Sequence, residues 1–220
     1  MTGFPTTREV PLNLKESALL FIDVQNFSVR RDGGEFLEVS DADIAGKYGY
    51  YFERLRSLAI PNMKRLQAAF RHAGIEVLYT TIESLTLDGR DRSLDYKITG
   101  FHVPKGSWDG KVIDEIAPGE DEIVLPKSSS SVFVSTHIDY LLRNLGVRQL
   151  VLAGLVTDQC VESAVRDACD LGYLVTLVPD ACATYSQERH DNSLRTIRGY
   201  CRQVDTAALI DEVTGGHLNK

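Results

Sequence analysis

One cysteine in this sequence has a setting that favours covalent chemistry. Cys160 lies where an apolar run ending at Gly154 gives way, through a polar turn, to a segment with the spacing of an amphipathic helix. A helix N-terminus lowers the pKa of a cysteine beside it, and the thiolate is the nucleophilic form of the side chain. We therefore expect Cys160 to act as a catalytic nucleophile. The remaining cysteines lack such a setting and are expected to be small core residues; they are Cys169, Cys182 and Cys201.

Two charged residues stand at the ends of other apolar runs. Asp23 ends a run in residues 18–24, and Lys127 follows a short run in residues 122–125 that Pro126 is expected to end. A partly desolvated carboxylate can accept a thiol proton, and a lysine can hold both groups in place. Taken singly, Asp23 is more often a turn residue and Lys127 a solvated surface residue. Their joint occurrence with Cys160 favours catalysis, with N–H groups of the preceding turn as an oxyanion hole.

The elements that must position these residues alternate between strand and helix. The strand runs are apolar along their whole length, which predicts a parallel sheet covered by helices on both faces. We predict an α/β fold, a three-layer α/β/α doubly wound sandwich around a mainly parallel sheet of about six strands, in a single domain over residues 1–220. The predicted strands are 18–24, 76–81, 122–125, 149–154, 173–178 and 203–204, and the predicted helices are 60–72, 135–145, 158–171, 187–200 and one near the C-terminus.

The three candidate residues share one edge of this predicted sheet. In doubly wound folds, ligands bind beyond the carboxyl ends of the strands, which is where Asp23, Lys127 and Cys160 fall. Two long segments, 28–48 and 84–108, are rich in glycine, aspartate and arginine and are expected to be functional loops. The sequence leaves open whether the segment 84–108 closes over the site.

The composition narrows the class of partner. The 220 residues are 43% hydrophobic with a net charge of −7, which argues against a nucleic acid or an anionic membrane as partner. No run approaches the roughly 18 apolar residues of a transmembrane helix, and residues 1–11 contain no apolar signal region. The four cysteines are widely spaced, without a Cys-x-x-Cys pair. Together these features indicate a reduced, cytoplasmic protein.

Several motifs resemble the isochorismatase-like cysteine hydrolase superfamily. The motifs are Asp23-Val-Gln-Asn26, Leu125-Pro-Lys127 and Gly154-x-x-Thr157-Asp-x-Cys160-Val. Within that superfamily the sequence is most similar to the ureidoacrylate amidohydrolase branch, through Lys105-Gly-Ser-Trp-Asp109 and Cys160-Val-Glu-Ser163. The resemblance implies a catalytic triad of Asp23, Lys127 and Cys160. It also implies a cis peptide bond between Leu155 and Val156, with the N–H groups of Val156 and Cys160 forming the oxyanion hole.

The implied activity is hydrolysis of a C–N amide or ureido bond in a small, polar, carboxylated molecule through a thioester. Two alternatives stay open: hydrolysis of an isochorismate-type vinyl ether, and an idle scaffold or binding member of the family. The resemblance also implies a homodimer or homotetramer, and the tyrosine-bearing stretch Tyr48–Tyr51 is expected to contact the neighbouring copy.

Polar residues of the long segments are the candidates for substrate binding. An arginine among them would clamp a substrate carboxylate through two hydrogen bonds. The candidates are Asn26, Glu83, Arg90, Arg92 and Tyr96. No catalytic metal and no cofactor are expected, because Thr80–Glu83 has no neighbouring histidine pair. The histidines are scattered and are expected to be surface or capping residues; they are His72, His102, His137, His190 and His217.

Overall fold

The structure of the protein is a computed structural model that describes residues 7–215. Two sequence predictions fall at least partly outside this range: the segment 1–11, predicted to lack a signal region, begins before it, and His217 lies after it. Within residues 7–215, no helix is both long and apolar enough to cross a membrane.

The described residues form a six-stranded sheet whose neighbouring strands all run parallel. The strand order is β3-β2-β1-β4-β5-β6, so the chain first builds outward from β1 on one side and then crosses to its other side. This is the doubly wound arrangement, and the predicted fold class is confirmed. The strands are β1 Ser17–Ile22, β2 Glu76–Ile82, β3 Ile123–Lys127, β4 Gln149–Leu155, β5 Leu174–Ala183 and β6 Arg202–Gln203.

Helices lie on both sides of the sheet. The predicted helix 60–72 is present with those bounds, and it is followed by Gly74 with φ of 67°, a conformation that favours glycine. The α-helices are α1 Asn26–Val29, α2 Asp41–Asp43, α3 Gly49–Arg54, α4 Ile60–His72, α5 Leu94–Ile98, α6 Val132–Ser135, α7 Ile138–Asn144, α8 Glu162–Asp170, α9 Gln187–Ile197 and α10 Thr206–Val213. Short 3₁₀ turns occupy Leu14–Glu16, Trp108–Gly110 and Asp114–Ile116, and π-helical turns occupy Ile44–Tyr48, Leu55–Ala59 and Thr157–Val161.

The fully buried β1 shows how the sheet separates two apolar layers. Successive side chains of a strand point to opposite faces. Leu19 and Phe21 join the apolar cluster that contains side chains of α4 and α10. Leu20 and Ile22 join the cluster that contains side chains of α7 and α8. Because both faces are covered, a strand without alternating polar residues is the expected pattern, and the end of β1 is fixed from both sides.

The third strand differs from its prediction. Pro126 was expected to end it, but β3 continues through Pro126, which pairs in register with Thr81, and ends at Lys127. β3 is an edge strand and pairs on one side only, so the missing N–H of a proline can be accommodated there. Lys127 is therefore anchored by the sheet itself.

The segment 28–48 was expected to be a loop, and its second half is helical. α2 leads through two π-helical turns and α3 into α4, so helical backbone runs through residues 41–72. The Ser40 hydroxyl accepts the Asp43 N–H at 3.1 Å, which caps the start. Gly46 and Gly49 lower the helix propensity of the segment, so the spacing of its apolar residues does not predict a helix there.

Three other helix boundaries shift. α7 begins at Ile138, whose N–H is accepted by the Thr136 hydroxyl at 3.1 Å. The helix predicted over 158–171 begins as a π-helical turn and continues as α8, and α9 ends at Ile197.

Part of the tyrosine-bearing stretch Tyr48–Tyr51 packs against the chain's own core. Tyr51 is fully buried and donates its hydroxyl to the Ser28 carbonyl at 3.0 Å. Tyr48 meets the ring of Phe36 edge-on, with centroids 5.1 Å apart. The prediction that this stretch faces a neighbouring copy is therefore corrected for Tyr51, because core packing already occupies it.

Candidate active site

The carboxyl ends of β1, β3 and β4 meet at one crevice. β1 lies between β2 and β4, and the strand order reverses there, which is where this fold opens a ligand site. Asp23 follows β1, Lys127 ends β3, and Cys160 lies in the turn between β4 and α8. The structure brings together these three sequence-predicted residues, and we call them the buried cluster.

Asp23 is held in an unusual backbone conformation. Its φ is 54°, in the left-handed region that costs a residue with a side chain about 1–2 kcal/mol. Its N–H donates to the Thr80 carbonyl at 3.0 Å, and its Oδ1 accepts the Thr80 hydroxyl at 2.8 Å. Because Thr80 pairs with Ile22 in the sheet, β2 fixes both the backbone and the carboxylate of Asp23.

Lys127 is a fully buried cation. Its Nζ lies 2.8 Å from Asp23 Oδ2, 3.4 Å from Cys160 Sγ and 2.8 Å from the Ser129 carbonyl oxygen. Burial alone would lower the pKa of Lys127, but its neighbours, with the charge of Asp23 first among them, together raise it above its usual value. Among the described residues no donor is aligned for a hydrogen bond to Asp23 Oδ2. That oxygen can therefore still accept a proton while it pairs with the lysine.

Cys160 is buried against the other two. Burial raises the pKa of Cys160 to about 12, Lys127 opposes the rise and Asp23 adds to it. The expectation that the helix N-terminus lowers this pKa is therefore wrong: desolvation and the neighbouring carboxylate outweigh the helix end. The resting side chain is a neutral thiol, so attack requires a base that removes its proton during the reaction.

The backbone before Cys160 is tightly constrained. The Leu155–Val156 peptide bond is cis, as the family resemblance implied. Gly154 has φ of 132°, and a Cβ atom there would collide with the Ile22 carbonyl oxygen of β1. Only glycine lets β4 approach β1 this closely, so Gly154 sets the separation between the strand of Asp23 and the strand that leads to Cys160.

A cavity of about 530 Å³ opens above the buried cluster. Asp23 and Cys160 form part of its lining, together with Val156, whose N–H is one of the two predicted oxyanion donors. The other lining residues are Ser28, Glu35, Ile82, Asp95, Tyr96, Thr99, Phe101, Ser130, Leu155, Gln159, Ser163 and Tyr185. A volume of this size suits a small molecule.

Tyr96 is the one sequence-predicted binding residue that lines this cavity. It lies on α5, within the segment 84–108 expected to be a loop, and its hydroxyl is 3.9 Å from Cys160 Sγ. Burial raises its pKa well above the ordinary value, so the phenol is neutral and can donate a hydrogen bond beside the sulfur. The segment 84–108 thus covers one side of the site with α5.

The other four predicted binding residues do not line the cavity. The Asn26 amide donates to the Trp108 carbonyl at 3.0 Å, and Glu83 accepts the Gly106 N–H. Arg90 is exposed and pairs with its neighbour Asp88. Arg92 donates to the Gly89 and Phe101 carbonyls at 2.9 and 3.0 Å. Asn26, Glu83 and Arg92 brace loops and Arg90 lies on the surface, so the expected arginine clamp for a substrate carboxylate is absent from the described cavity lining.

Sequence reasoning missed the charged residues that do line the cavity. Glu35 and Asp95 contribute carboxyl groups, and the Tyr185 hydroxyl donates a hydrogen bond to Glu35 Oε1. We call these three residues the acidic wall. The only sequence signal for Glu35 was its place in the glycine-containing segment 28–48, and nothing in the spacing singled out Tyr185.

The histidines that the structure describes are not grouped for metal binding. Among residues 7–215, no group of three or more His, Cys, Asp or Glu side chains could hold a metal ion. His190 is buried and contacts the Thr157 hydroxyl through Nδ1 and the Arg54 guanidinium through Nε2, both at 2.9 Å. Burial, aided by Arg54, lowers its pKa to about 4, so it is neutral at physiological pH. Its contact with Thr157 braces the turn that carries Cys160.

Comparison with protein families gives one match that covers most of the chain. The isochorismatase domain model matches residues 17–208. The ureidoacrylate amidohydrolase RutB of Rhizobium rhizogenes is 30% identical to this chain over 230 residues, which cover 91% of this chain and 89% of that protein.

Solved structures share the fold. A cysteine hydrolase from Pseudomonas syringae pv. phaseolicola superposes with a TM-score of 0.80 at 22% identity, covering 95% of this chain and 97% of that one. An N-carbamoylsarcosine amidase from Thermoplasma acidophilum has a TM-score of 0.66 at 26% identity, covering 87% of this chain and 96% of that one.

Proposed function

This chain belongs to the isochorismatase family, and on that premise we propose that it is a single-domain cysteine hydrolase that cleaves a C–N amide or ureido bond of a small molecule. The names of two relatives support the bond type, because one is an amidohydrolase and the other an amidase. The catalytic residues in this proposal are Asp23, Lys127 and Cys160.

One observation carries the mechanism: a neutral thiol, a carboxylate and a lysine are buried together beneath a cavity of small-molecule size. Lys127 Nζ is within 3.4 Å of Cys160 Sγ and 2.8 Å of Asp23 Oδ2. A buried cation is costly unless it is paired, and these contacts pair it with both reacting groups. If the Asp23–Lys127 ion pair were purely structural, it would need neither the contact with Cys160 nor the adjoining cavity.

In the first half-reaction, Asp23 takes the thiol proton while the Cys160 sulfur attacks the substrate carbonyl carbon. The new S–C bond gives a tetrahedral intermediate whose oxyanion is held by the N–H groups of Val156 and Cys160. One such donor contributes on the order of 3 kcal/mol to the transition state. Lys127 balances the carboxylate of Asp23 before the transfer and offsets the negative charge that develops on sulfur as its proton leaves.

The C–N bond then breaks, and the proton on Asp23 passes to the leaving nitrogen, which departs as ammonia or an amine. In the second half-reaction, Asp23 takes a proton from water as the water oxygen attacks the thioester carbonyl. The C–S bond breaks, the proton returns to sulfur, and a carboxylic acid leaves (a carbamic acid, if the substrate was a ureide). Asp23 thus carries the transferred proton in both half-reactions.

Two alternatives from the sequence remain as rivals. A vinyl-ether hydrolase needs no cysteine nucleophile, so the burial of Cys160 against Asp23 and Lys127 would have no purpose there. An idle binding member would retain the cavity without any use for a thiol buried beside the Asp23–Lys127 ion pair.

The test is ammonia release across ureido acids, biuret-like compounds, carbamoyl amino acids, simple amides and nicotinamide. We expect at least one amide or ureide to be hydrolysed by the wild-type protein, and Cys160→Ala to lower kcat/KM by about 10⁴-fold or more. Cys169→Ala is the matched control, because Cys169 is half-buried outside the cavity and should leave the rate unchanged. Equal rates for Cys160→Ala and Cys169→Ala would refute the proposal.

The homodimer or homotetramer implied by the family resemblance stays a prediction. Light scattering of the purified chain checks it, and a mass of one chain, 24.4 kDa, would refute it.

A further inference from the structure

The charged groups around the cavity are of one sign. Besides Asp23, which Lys127 neutralises, the lining contains the carboxyl groups of Glu35 and Asp95. No arginine or lysine is among the described residues that line the cavity. The part of a bound substrate that lies away from the reacting carbonyl therefore faces hydrogen-bond acceptors and negative charge. The described lining offers no cation to pair with a carboxylate on the substrate.

Glu35 is built into this wall at both its backbone and its side chain. Its N–H donates to the Phe27 carbonyl at 3.2 Å, and its Oε1 accepts the Tyr185 hydroxyl. The Tyr185 ring is fixed in turn against Tyr51 and Tyr48, with centroids 5.1 and 5.7 Å apart. A carboxyl group held this way is a preorganised acceptor, since little side-chain freedom is lost when a ligand binds it.

The second oxygen of Glu35 is available to a ligand. Among the described residues no donor contacts Oε2. Arg189 lies over the Tyr185 ring at 5.0 Å, but its Nε pairs with Asp158 at 2.6 Å and it does not line the cavity. Burial raises the pKa of Glu35 to about 7, which Tyr185 partly opposes, so a donor or cation brought by a ligand would favour the charged form.

We propose, building on the hydrolase function above, that Glu35 is a specificity-determining residue and that the cavity selects amides or ureides whose distal end carries N–H donors, cationic or neutral, over carboxylates. Like charges placed together cost binding energy, whereas N–H groups would satisfy Glu35 Oε2. Asp95, exposed at the cavity rim, acts in the same direction. The carboxylated substrate expected from the family resemblance is replaced by one of opposite polarity. An acrylate is a carboxylate, so this chain would differ in substrate from its relative named for ureidoacrylate.

The test compares three thiol reagents that share the reactive methanethiosulfonate group and carry tails of different charge: the ethyl, 2-aminoethyl and 2-sulfonatoethyl methanethiosulfonates. Rates of Cys160 modification are measured by peptide mass spectrometry and divided by the rates with free 2-mercaptoethanol. We expect the cationic reagent to exceed the anionic one at least tenfold, with the neutral reagent between them. Glu35→Gln should shrink that ratio at least threefold. Glu38→Gln is the matched control, since Glu38 is exposed on the same segment outside the cavity.

A ratio near one, a ratio that favours the anion, or a ratio that Glu35→Gln leaves unchanged would overturn the inference. Failure of all three reagents to reach Cys160 would overturn it as well, because a cavity closed to small molecules recognises none. Ammonia release tells the two proposals apart. Release that depends on Cys160 together with a ratio near one removes the specificity inference alone. A ratio above ten without such release from any amide or ureide removes the hydrolase function and leaves the charge preference of the cavity standing.

Discussion

The buried cluster and the acidic wall face the same cavity but are built in different ways. Asp23 and Lys127 lie at the ends of two strands of one sheet, and Cys160 lies in the turn that follows a third. All three are nearly inaccessible to solvent, and Lys127 Nζ lies 2.8 Å from Asp23 Oδ2 and 3.4 Å from Cys160 Sγ. Glu35 and Asp95 lie outside the strands, on a connecting segment and on a helix of five residues. The sheet therefore fixes the groups proposed for the chemistry, while elements outside it supply the groups proposed for recognition.

The buried cluster and the acidic wall should therefore affect stability and specificity differently when they are mutated. A buried ion pair that loses one partner leaves an uncompensated charge, so changes in the cluster should damage folding and activity together. A half-buried carboxyl group that folding makes harder to ionise costs stability, so its removal should stabilise the protein while altering which molecules bind. The predictions below test that separation.

After Cys160→Ala, the largest effect on activity is expected for Asp23→Asn. Loss of the proposed base should lower kcat/KM by about 10³-fold. Because Lys127 would then be buried without a counter-charge, the free energy of unfolding should also fall, by about 3 kcal/mol. Ammonia-release kinetics and urea unfolding measure the two effects.

The double variant Asp23→Asn/Lys127→Met separates structure from chemistry. Removal of the unpaired charge should restore most of the lost stability, and activity should stay low. Recovery of activity in the double variant would show that Asp23 matters only through folding. The proposed role of Asp23 as the catalytic base would then be wrong.

The next effect, a loss of stability without removal of a proposed catalytic group, is expected for Gly154→Ala, which tests the close approach of β4 to β1. The added Cβ meets the Ile22 carbonyl, so the strands must separate, at a cost of about 3 kcal/mol or more in the free energy of unfolding. Gly146→Ala is the control: its φ is also positive, at 75°, but a Cβ there meets open space. That change should cost only the about 1–2 kcal/mol of the left-handed conformation. Equal losses at the two glycines would mean that the strand contact adds nothing.

The smallest effect, and the one of opposite sign, is expected for Glu35→Gln. The pKa of Glu35 is about 7 in the folded protein, against an ordinary value of 4.5 for a glutamate side chain. Relative to a glutamine, the wild type therefore loses stability as pH rises from 4.5 through 7, and gains nothing at lower pH. At pH 8 the variant should be more stable by roughly 2 kcal/mol, with the shift discounted for partial exposure. At pH 4 the two should be equal. Urea unfolding at both pH values gives the answer, and a variant that is less stable at pH 8 would contradict the account.

The sheet and the cluster were accessible from sequence because each rests on a strong local signal. Uninterrupted apolar runs predict parallel strands, and a charged residue at the end of a run must lie at the edge of the sheet, so Asp23 and Lys127 could be placed without a structure. The direction of the Cys160 pKa shift could not be predicted from the sequence, because it depends on burial and on a carboxylate that is 137 residues away in the chain.

The acidic wall lacked such a signal. Glu35 and Tyr185 are separated by 150 residues, and the Tyr185 ring packs against Tyr48 and Tyr51, which lie in the helical backbone over 41–72. Charged residues in loops are ordinarily solvated, and Arg90 and Arg92 resembled binding residues as much as Glu35 did. Tertiary packing decides which loop side chain faces the cavity. No local sequence pattern could therefore show whether an arginine would be placed there to bind a substrate carboxylate.

The most direct measurement of the central claim is mass spectrometry of a turnover reaction quenched with acid. On a hydrolysed amide or ureide, the account predicts that the peptide containing Cys160 gains the mass of the substrate acyl group. The added mass should be released by hydroxylamine, as a thioester is, and Asp23→Asn should not accumulate it. Turnover that proceeds without an adduct in rapid-quench samples, and that persists in Cys160→Ala, would contradict it.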